Sequence, residues 1–112
     1  IIIKSNIIKM SNEAVVEISN ASFPEKLEIQ EEVKKFLDKF QKMWRISRLK
    51  INVDTYSPRG RKKYSMHAQA VASDILFNVE SNNWDVPSTL NLLFERLSKK
   101  IGKELKKKQI IS

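Results

Sequence analysis

Two stretches of the chain carry apolar residues at helical spacing, and the first of them lies in its N-terminal half. The predicted helix begins between Pro24 and Gln30, after a long polar connection, and ends at about Met43. Its charged residues occupy the face opposite to the apolar one. The apolar positions, which we expect in the core, are Ile29, Val33, Phe36, Leu37, Phe40 and Trp44.

The second helical stretch runs from Trp84 to Lys108. Asp85 is the predicted N-cap, and Pro87 is tolerated in a first turn. The apolar stripe consists of Leu90, Leu93, Leu97 and Ile101. At about 100° per residue, five cations gather in an arc of roughly 100° beside this stripe. The helix can therefore pack on a core and still present the row Arg96, Lys99, Lys100, Lys103 and Lys107.

Alternation of apolar and polar residues predicts four strands, at residues 14–19, 45–55, 64–72 and 75–81. Ser73 and Asp74 form a tight turn between the last two strands. The inward positions are Val16, Ile18, Leu49, Ile51, Val53, Met66, Ala68, Ala70, Ile75, Phe77 and Val79. The order β-α-β-β-β-α predicts an α+β domain with an antiparallel-rich four-stranded sheet and two helices on one face.

One domain is expected for a chain of 112 residues, and we assign it to residues 13–108. Residues 1–12 are interpreted as an N-terminal extension. This extension is either a short extra strand or, if Met10 is the natural start, an upstream or artificial segment over residues 1–9. Residues 109–112 are expected to be a C-terminal tail. The apolar run within residues 1–12 is too short for the hydrophobic region of a signal peptide, and no small-residue cleavage site follows it.

The chain is basic, with a formal net charge of +8, and the charge is unevenly spread. Residues 12–41 carry seven acids and four lysines, whereas residues 42–63 carry eight bases and one acid. The loop YSPRGRKK holds the cations Arg59, Arg61, Lys62 and Lys63. Like charges at a hairpin tip gain nothing for folding, so we expect this loop to extend the cationic surface of the last helix towards a polyanion.

Catalytic and metal sites find little support in the sequence. There is no cysteine, which excludes disulfides, thiolate chemistry and cysteine-based metal sites. His67 is the only histidine, and nothing places a serine or acid beside it. We therefore expect a protein that is not an enzyme and has no cofactor, metal or small-molecule substrate. No segment is long enough to span a membrane.

The segment KKYSMHAQAVASDILFNVESNNWD and the helix after it resemble the ribosome hibernation-promoting factors, also called the ribosome-associated inhibitor or sigma-54 modulation family. The likeness extends from about Val15 to Lys108. The positions that carry it are Ala68, Ala70, Ala72, Asp85, Arg96, Leu97, Lys100 and Ile101. The chain resembles the short form without a dimerisation module. It departs from the family in its more basic loop and in the long connection before the first helix.

This resemblance implies a fold similar to double-stranded RNA-binding domains and a cytoplasmic protein that binds ribosomal RNA of the small ribosomal subunit. Occupying the channel between the head and body of that subunit would block translation in idle or stressed cells. The family's main RNA contacts correspond to Arg96, Lys100, Lys103 and Lys107, with Lys99 and Lys106 as neighbours.

Two other functions remain open. The same element order is typical of a double-stranded or structured RNA-binding domain unconnected with ribosome hibernation, although that class carries its lysines at the start of the last helix. The second open function is that of a module that docks on an acidic protein or an anionic lipid. Single-strand recognition is not expected, because few aromatic residues are predicted to be exposed, unless Tyr56 or Tyr64 stacks on bases.

Overall fold

A computed structural model describes the backbone of residues 5–10 and 14–111. Side chains are described for residues 14–106, apart from Gln41 and Pro58. The elements in chain order are β1 (Ser5–Met10), β2 (Ala14–Ser19), α1 (Phe23–Trp44), β3 (Ile46–Tyr56), a short 3-10 turn (Pro58–Gly60), β4 (Lys63–Ala72), β5 (Ile75–Asn83) and α2 (Val86–Ile111). The predicted α+β class is confirmed, and the sheet is mixed.

The strands of the described chain form one sheet in the order β1-β2-β3-β4-β5. β2 and β3 are parallel, since α1 connects them, and the other neighbours are antiparallel. The predicted four-stranded sheet is thus extended by β1, which pairs Ser5 with Ser19 and Met10 with Ala14. Residues 1–4, 11 and 12 of the predicted extension, and residue 13 of the predicted domain, lie outside the described residues. The predicted tail is corrected for residues 109–111, because α2 continues to Ile111.

The first helix begins at Phe23, so the connection before it is much shorter than predicted. Ser22 is the N-cap and forms a capping box with Glu25: the Glu25 amide donates to Ser22 Oγ, and the Ser22 amide donates to Glu25 Oε1. Pro24 occupies the first turn, where a missing amide proton costs nothing.

Both helices cover one face of the sheet, as predicted. The alternating inward residues of β2, β3 and β4 are buried, and so is most of the apolar stripe of each helix. Ile75 and Val79 of β5 and Phe40 of α1 are partly buried and pack against this core. Leu93, Leu97 and Ile101 of α2 have no exposed surface, and Phe36 and Phe77 are nearly as buried. The Asp85 cap is confirmed by the Ser88 amide, which donates to Asp85 Oδ1 at 2.8 Å.

The two helices run parallel with a fixed offset. Phe36 stacks on Phe94 with ring centroids 4.6 Å apart, and a Cβ on Gly102 would lie 3.8 Å from Trp44 Cζ2. Each contact joins residues that are 58 positions apart in sequence (94 − 36 and 102 − 44), and a constant separation of this kind is what parallel helices require. The C-terminal halves of α1 and α2 therefore lie at the same end of the molecule, beside the turn between β4 and β5.

Candidate nucleic-acid interface

Two of the predicted RNA-binding cations on α2 lie against the free edge of β5. Arg96 Nη1 donates to the carbonyl oxygen of Glu80 at 2.7 Å, and Lys100 Nζ donates to that of Asn78 at 2.7 Å. An edge strand has unpaired backbone groups that need partners, and these side chains supply them. Arg96 and Lys100 are exposed, but part of their hydrogen-bonding capacity stabilises the fold.

Three other predicted cations of α2, Lys99, Lys103 and Lys106, are exposed to solvent. Lys99 forms an exposed ion pair with Glu95 at 3.0 Å, which is the kind of pair that contributes little to stability. Lys103 and Lys106 are exposed, and neither makes an ion pair or a hydrogen bond within the described part of the chain. The backbone of Lys107 is helical, but its side chain lies outside the described ones.

The parallel arrangement of the helices adds cations that the sequence did not assign to this site. The C-terminal half of α1 carries Lys39 and Lys42, and Arg45 is its C-cap; all three are exposed and lie at the same end as the lysine-rich half of α2. We call the combined surface the cationic end, and it consists of Lys39, Lys42, Arg45, Lys99, Lys103 and Lys106. Both helix dipoles direct their negative poles towards this end, which favours cations there.

The backbone beneath the cationic end is firmly held. Arg45 adopts a left-handed conformation (φ 51°) that ends α1. The Ser73 hydroxyl donates to the carbonyl oxygen of Trp44 at 3.0 Å, and the Ser73 amide donates to that of Arg45 at 3.3 Å. The last turn of α1 is therefore fixed to the turn between β4 and β5, so its cations have a defined position.

The basic loop lies at the other end of the molecule. Arg61 Cζ is 4.5 Å and Lys63 Nζ is 4.9 Å from the ring centroid of Trp84, just before α2. Lys62 Nζ pairs with Glu25 Oε2 at 3.3 Å, near the start of α1. Lys99 lies 13 residues beyond the start of α2, or about 20 Å along its axis. The loop thus approaches α2 as predicted, but at its N-terminal end, and does not adjoin the lysine-rich half.

Contacts on both sides hold the loop in place. Burial by itself would raise the pKa of Glu25, but hydrogen bonds from Ser22, Lys62 and Tyr64 outweigh it and lower that pKa. The contacts with Tyr64 and Glu25 raise the pKa of Lys62. Arg59 is exposed, with φ 55°, and the Gly60 amide donates to the carbonyl oxygen of Ser57 at 3.2 Å. The loop is therefore a turn with defined contacts to Trp84 on one side and to Glu25 on the other.

The face of the sheet opposite the helices is polar and concave. A concavity of about 650 Å³ lies on it, lined by Glu17, Lys50, Asn52, His67, Gln69 and Glu80, among others. Glu17 pairs with Lys50 at 3.4 Å. Glu80 Oε2 lies 3.4 Å from His67 Nε2, so an acid does lie beside the histidine, contrary to the expectation from the sequence. No group of three or more potential metal ligands occurs among the described residues. This face is balanced in charge, unlike the cationic end.

The aromatic residues at the loop end differ in exposure. Tyr56 is 45% and Trp84 is 38% exposed, whereas Tyr64 packs against the core. Sequence reasoning considered both tyrosines but not Trp84. Its position just before the predicted helix was a usable signal, because a residue ahead of an N-cap need not face the core.

The chain was compared with known families and proteins. No family model matches it, and no curated protein shows significant similarity to it. Among the described residues, no helix combines the length and the apolar character needed to cross a membrane. The assignment of a function therefore depends on the geometry of the two cationic regions and on the resemblance noted in the sequence.

Proposed function

We propose that this protein is a ribosome-binding hibernation factor that docks on RNA of the small ribosomal subunit and blocks translation. The observation that carries the proposal is the cationic end, where exposed lysines and an arginine from two packed helices converge. The resemblance to hibernation-promoting factors supplies the identity of the target. The order of elements from β2 to α2 also supports a fold similar to double-stranded RNA-binding domains.

Electrostatics favours a polyanion such as RNA as the partner of this surface. Six cations at one end can each approach a phosphate, and the release of counterions from the RNA provides the affinity. Such contacts fix position and orientation but carry no sequence information. They suit a folded RNA of defined shape, which is recognised mainly through its backbone.

A rigid scaffold makes these cations effective. The stripe formed by Leu93, Leu97 and Ile101 anchors α2 to the sheet, and Ser73 fixes the end of α1. Because the backbone is already ordered, binding costs only the entropy of the side chains. Arg96 and Lys100, which hold the edge of β5, would contribute both to the fold and to the field around the site.

The proposal is tested by sedimenting the protein with purified small ribosomal subunits, with and without an excess of RNA duplex longer than about 16 base pairs. We expect the protein to sediment with the subunits despite the duplex, and to inhibit translation in a reconstituted system. Displacement by the duplex would favour a general binder of structured RNA. Failure to bind either RNA would contradict the proposal.

A further inference from the structure

The loop end carries a second concentration of positive charge, and there it surrounds an exposed indole. Trp84 is 38% exposed, although tryptophan is usually well buried. Arg61 and Lys63 approach its ring at 4.5 and 4.9 Å, which are cation–π distances. The other tryptophan, Trp44, is only 8% exposed and belongs to the core.

The sheet register places a second aromatic ring beside this group. Tyr56 pairs with Lys63 across β3 and β4. Val53 and Met66 point into the core, so alternation directs Tyr56 and Lys63 to the open face of the sheet. Lys63 therefore stands between Tyr56 and Trp84. With strands about 4.8 Å apart, the row spans roughly 10 Å.

This row, which we call the aromatic corner, consists of Tyr56, Arg61, Lys63 and Trp84. Its side chains combine two flat apolar surfaces with two cations, and the ion pairs of the described chain involve none of the four. Aromatic rings stack on unpaired bases of any sequence, while arginine and lysine neutralise the adjoining phosphates. A base-paired duplex offers no such exposed base faces, so the chemistry favours a single strand.

We propose that the aromatic corner binds unpaired nucleotides of single-stranded RNA, with Trp84 as the main stacking surface. It lies at the opposite end of α2 from the cationic end and uses a different kind of contact. The molecule would thus have two RNA contacts, one for folded RNA and one for an unpaired segment. The sequence led us not to expect single-strand recognition because few exposed aromatic residues were predicted; in the structure both Tyr56 and Trp84 are exposed.

The test uses a short fluorescein-labelled uridine oligonucleotide, which cannot form a duplex, and follows its anisotropy. Trp84→Ala removes the ring on which one base stacks, so this variant should bind the oligonucleotide about 5- to 150-fold more weakly than the wild type. Trp84→Phe keeps a ring and should bind much better than Trp84→Ala. Phe23→Ala is the matched control, because Phe23 is 72% exposed but lies on α1, and it should bind like the wild type.

Tryptophan emission provides a readout that a merely structural role would not change. Uridine stacked on Trp84 should quench the emission of the wild type, whereas Trp84→Phe, which retains only the buried Trp44, should bind without quenching. If circular dichroism shows that Trp84→Ala does not fold, two other measurements test the proposal. These are the quenching comparison and the affinity of Tyr56→Ala, which should also bind more weakly than the wild type.

The proposal is overturned if the wild type does not bind the oligonucleotide, or if Trp84→Ala binds it as well as Phe23→Ala does. Trp84 would then serve only to hold the basic loop. Because the assay contains no ribosome, its result is independent of whether the cationic end binds the small subunit.

Discussion

Replacing Leu97 with alanine tests the packing that supports the cationic end. The side chain of Leu97 has no exposed surface and lies in the stripe by which α2 contacts the sheet. Burial of this kind makes leucine-to-alanine changes cost about 2–5 kcal/mol, depending on how well the site collapses. The inward positions of β4 include Ala68 and Ala70, which are too short to fill a cavity beneath α2. We therefore expect the upper part of the range, about 3–5 kcal/mol.

Urea unfolding followed by circular dichroism measures this loss. A domain of this size is stable by only about 5–15 kcal/mol, so the midpoint should fall by at least about 1 M urea. Leu76→Ala is the control, because Leu76 is 58% exposed on the open face, and it should change stability by less than about 0.5 kcal/mol. A similarly small loss in Leu97→Ala would mean that α2 is not docked on the sheet as described.

Three further predictions concern capping, pH and salt. Ser22→Ala removes the hydroxyl of the capping box and should cost about 1 kcal/mol in urea unfolding; an unchanged midpoint would contradict the role of that box. The depressed pKa of Glu25 adds stability at neutral pH, and this stability disappears as the pH falls through the folded-state pKa. The wild type should therefore lose more stability than Glu25→Gln between about pH 5 and pH 3. Equal losses would mean that the pKa of Glu25 is not lowered. With six cations at the cationic end, affinity for the small subunit should fall about a thousandfold between 50 and 200 mM salt; a flat profile in a binding titration would indicate an apolar interface.

Much of the fold follows from the sequence because burial imposes a period on each element. Met66, Ala68 and Ala70 alternate with polar residues, and the sheet has to bury that face. The start of α1 at Phe23 lies just before the predicted range of Pro24 to Gln30, because the cap of this helix was not recognised in the sequence. Ser22 and Glu25 formed a capping box that local sequence reasoning could have recognised.

The arrangement of the two cationic regions could not be predicted in the same way. Each helix reveals its own apolar face, but the offset that sets Trp44 beside Gly102 arises only when the helices pack. For that reason Lys42 and Arg45 were not recognised as neighbours of the lysine-rich half of α2. The position of the basic loop likewise depends on contacts between distant residues, such as Lys62 with Glu25.

Charge reversal at Lys103 and Lys106 tests the central claim most directly. Both side chains are exposed, and their replacement removes no described hydrogen bond or ion pair, in contrast to Lys100, whose amine holds the edge of β5. We expect Lys103→Glu/Lys106→Glu to remain folded by circular dichroism and to lose binding to purified small subunits in a pelleting assay. Lys26→Glu/Lys34→Glu, which changes the net charge equally at positions of α1 outside the cationic end, should pellet like the wild type. If the Lys103→Glu/Lys106→Glu variant pellets with small subunits as well as the wild type does, the cationic end is not the ribosome-binding surface.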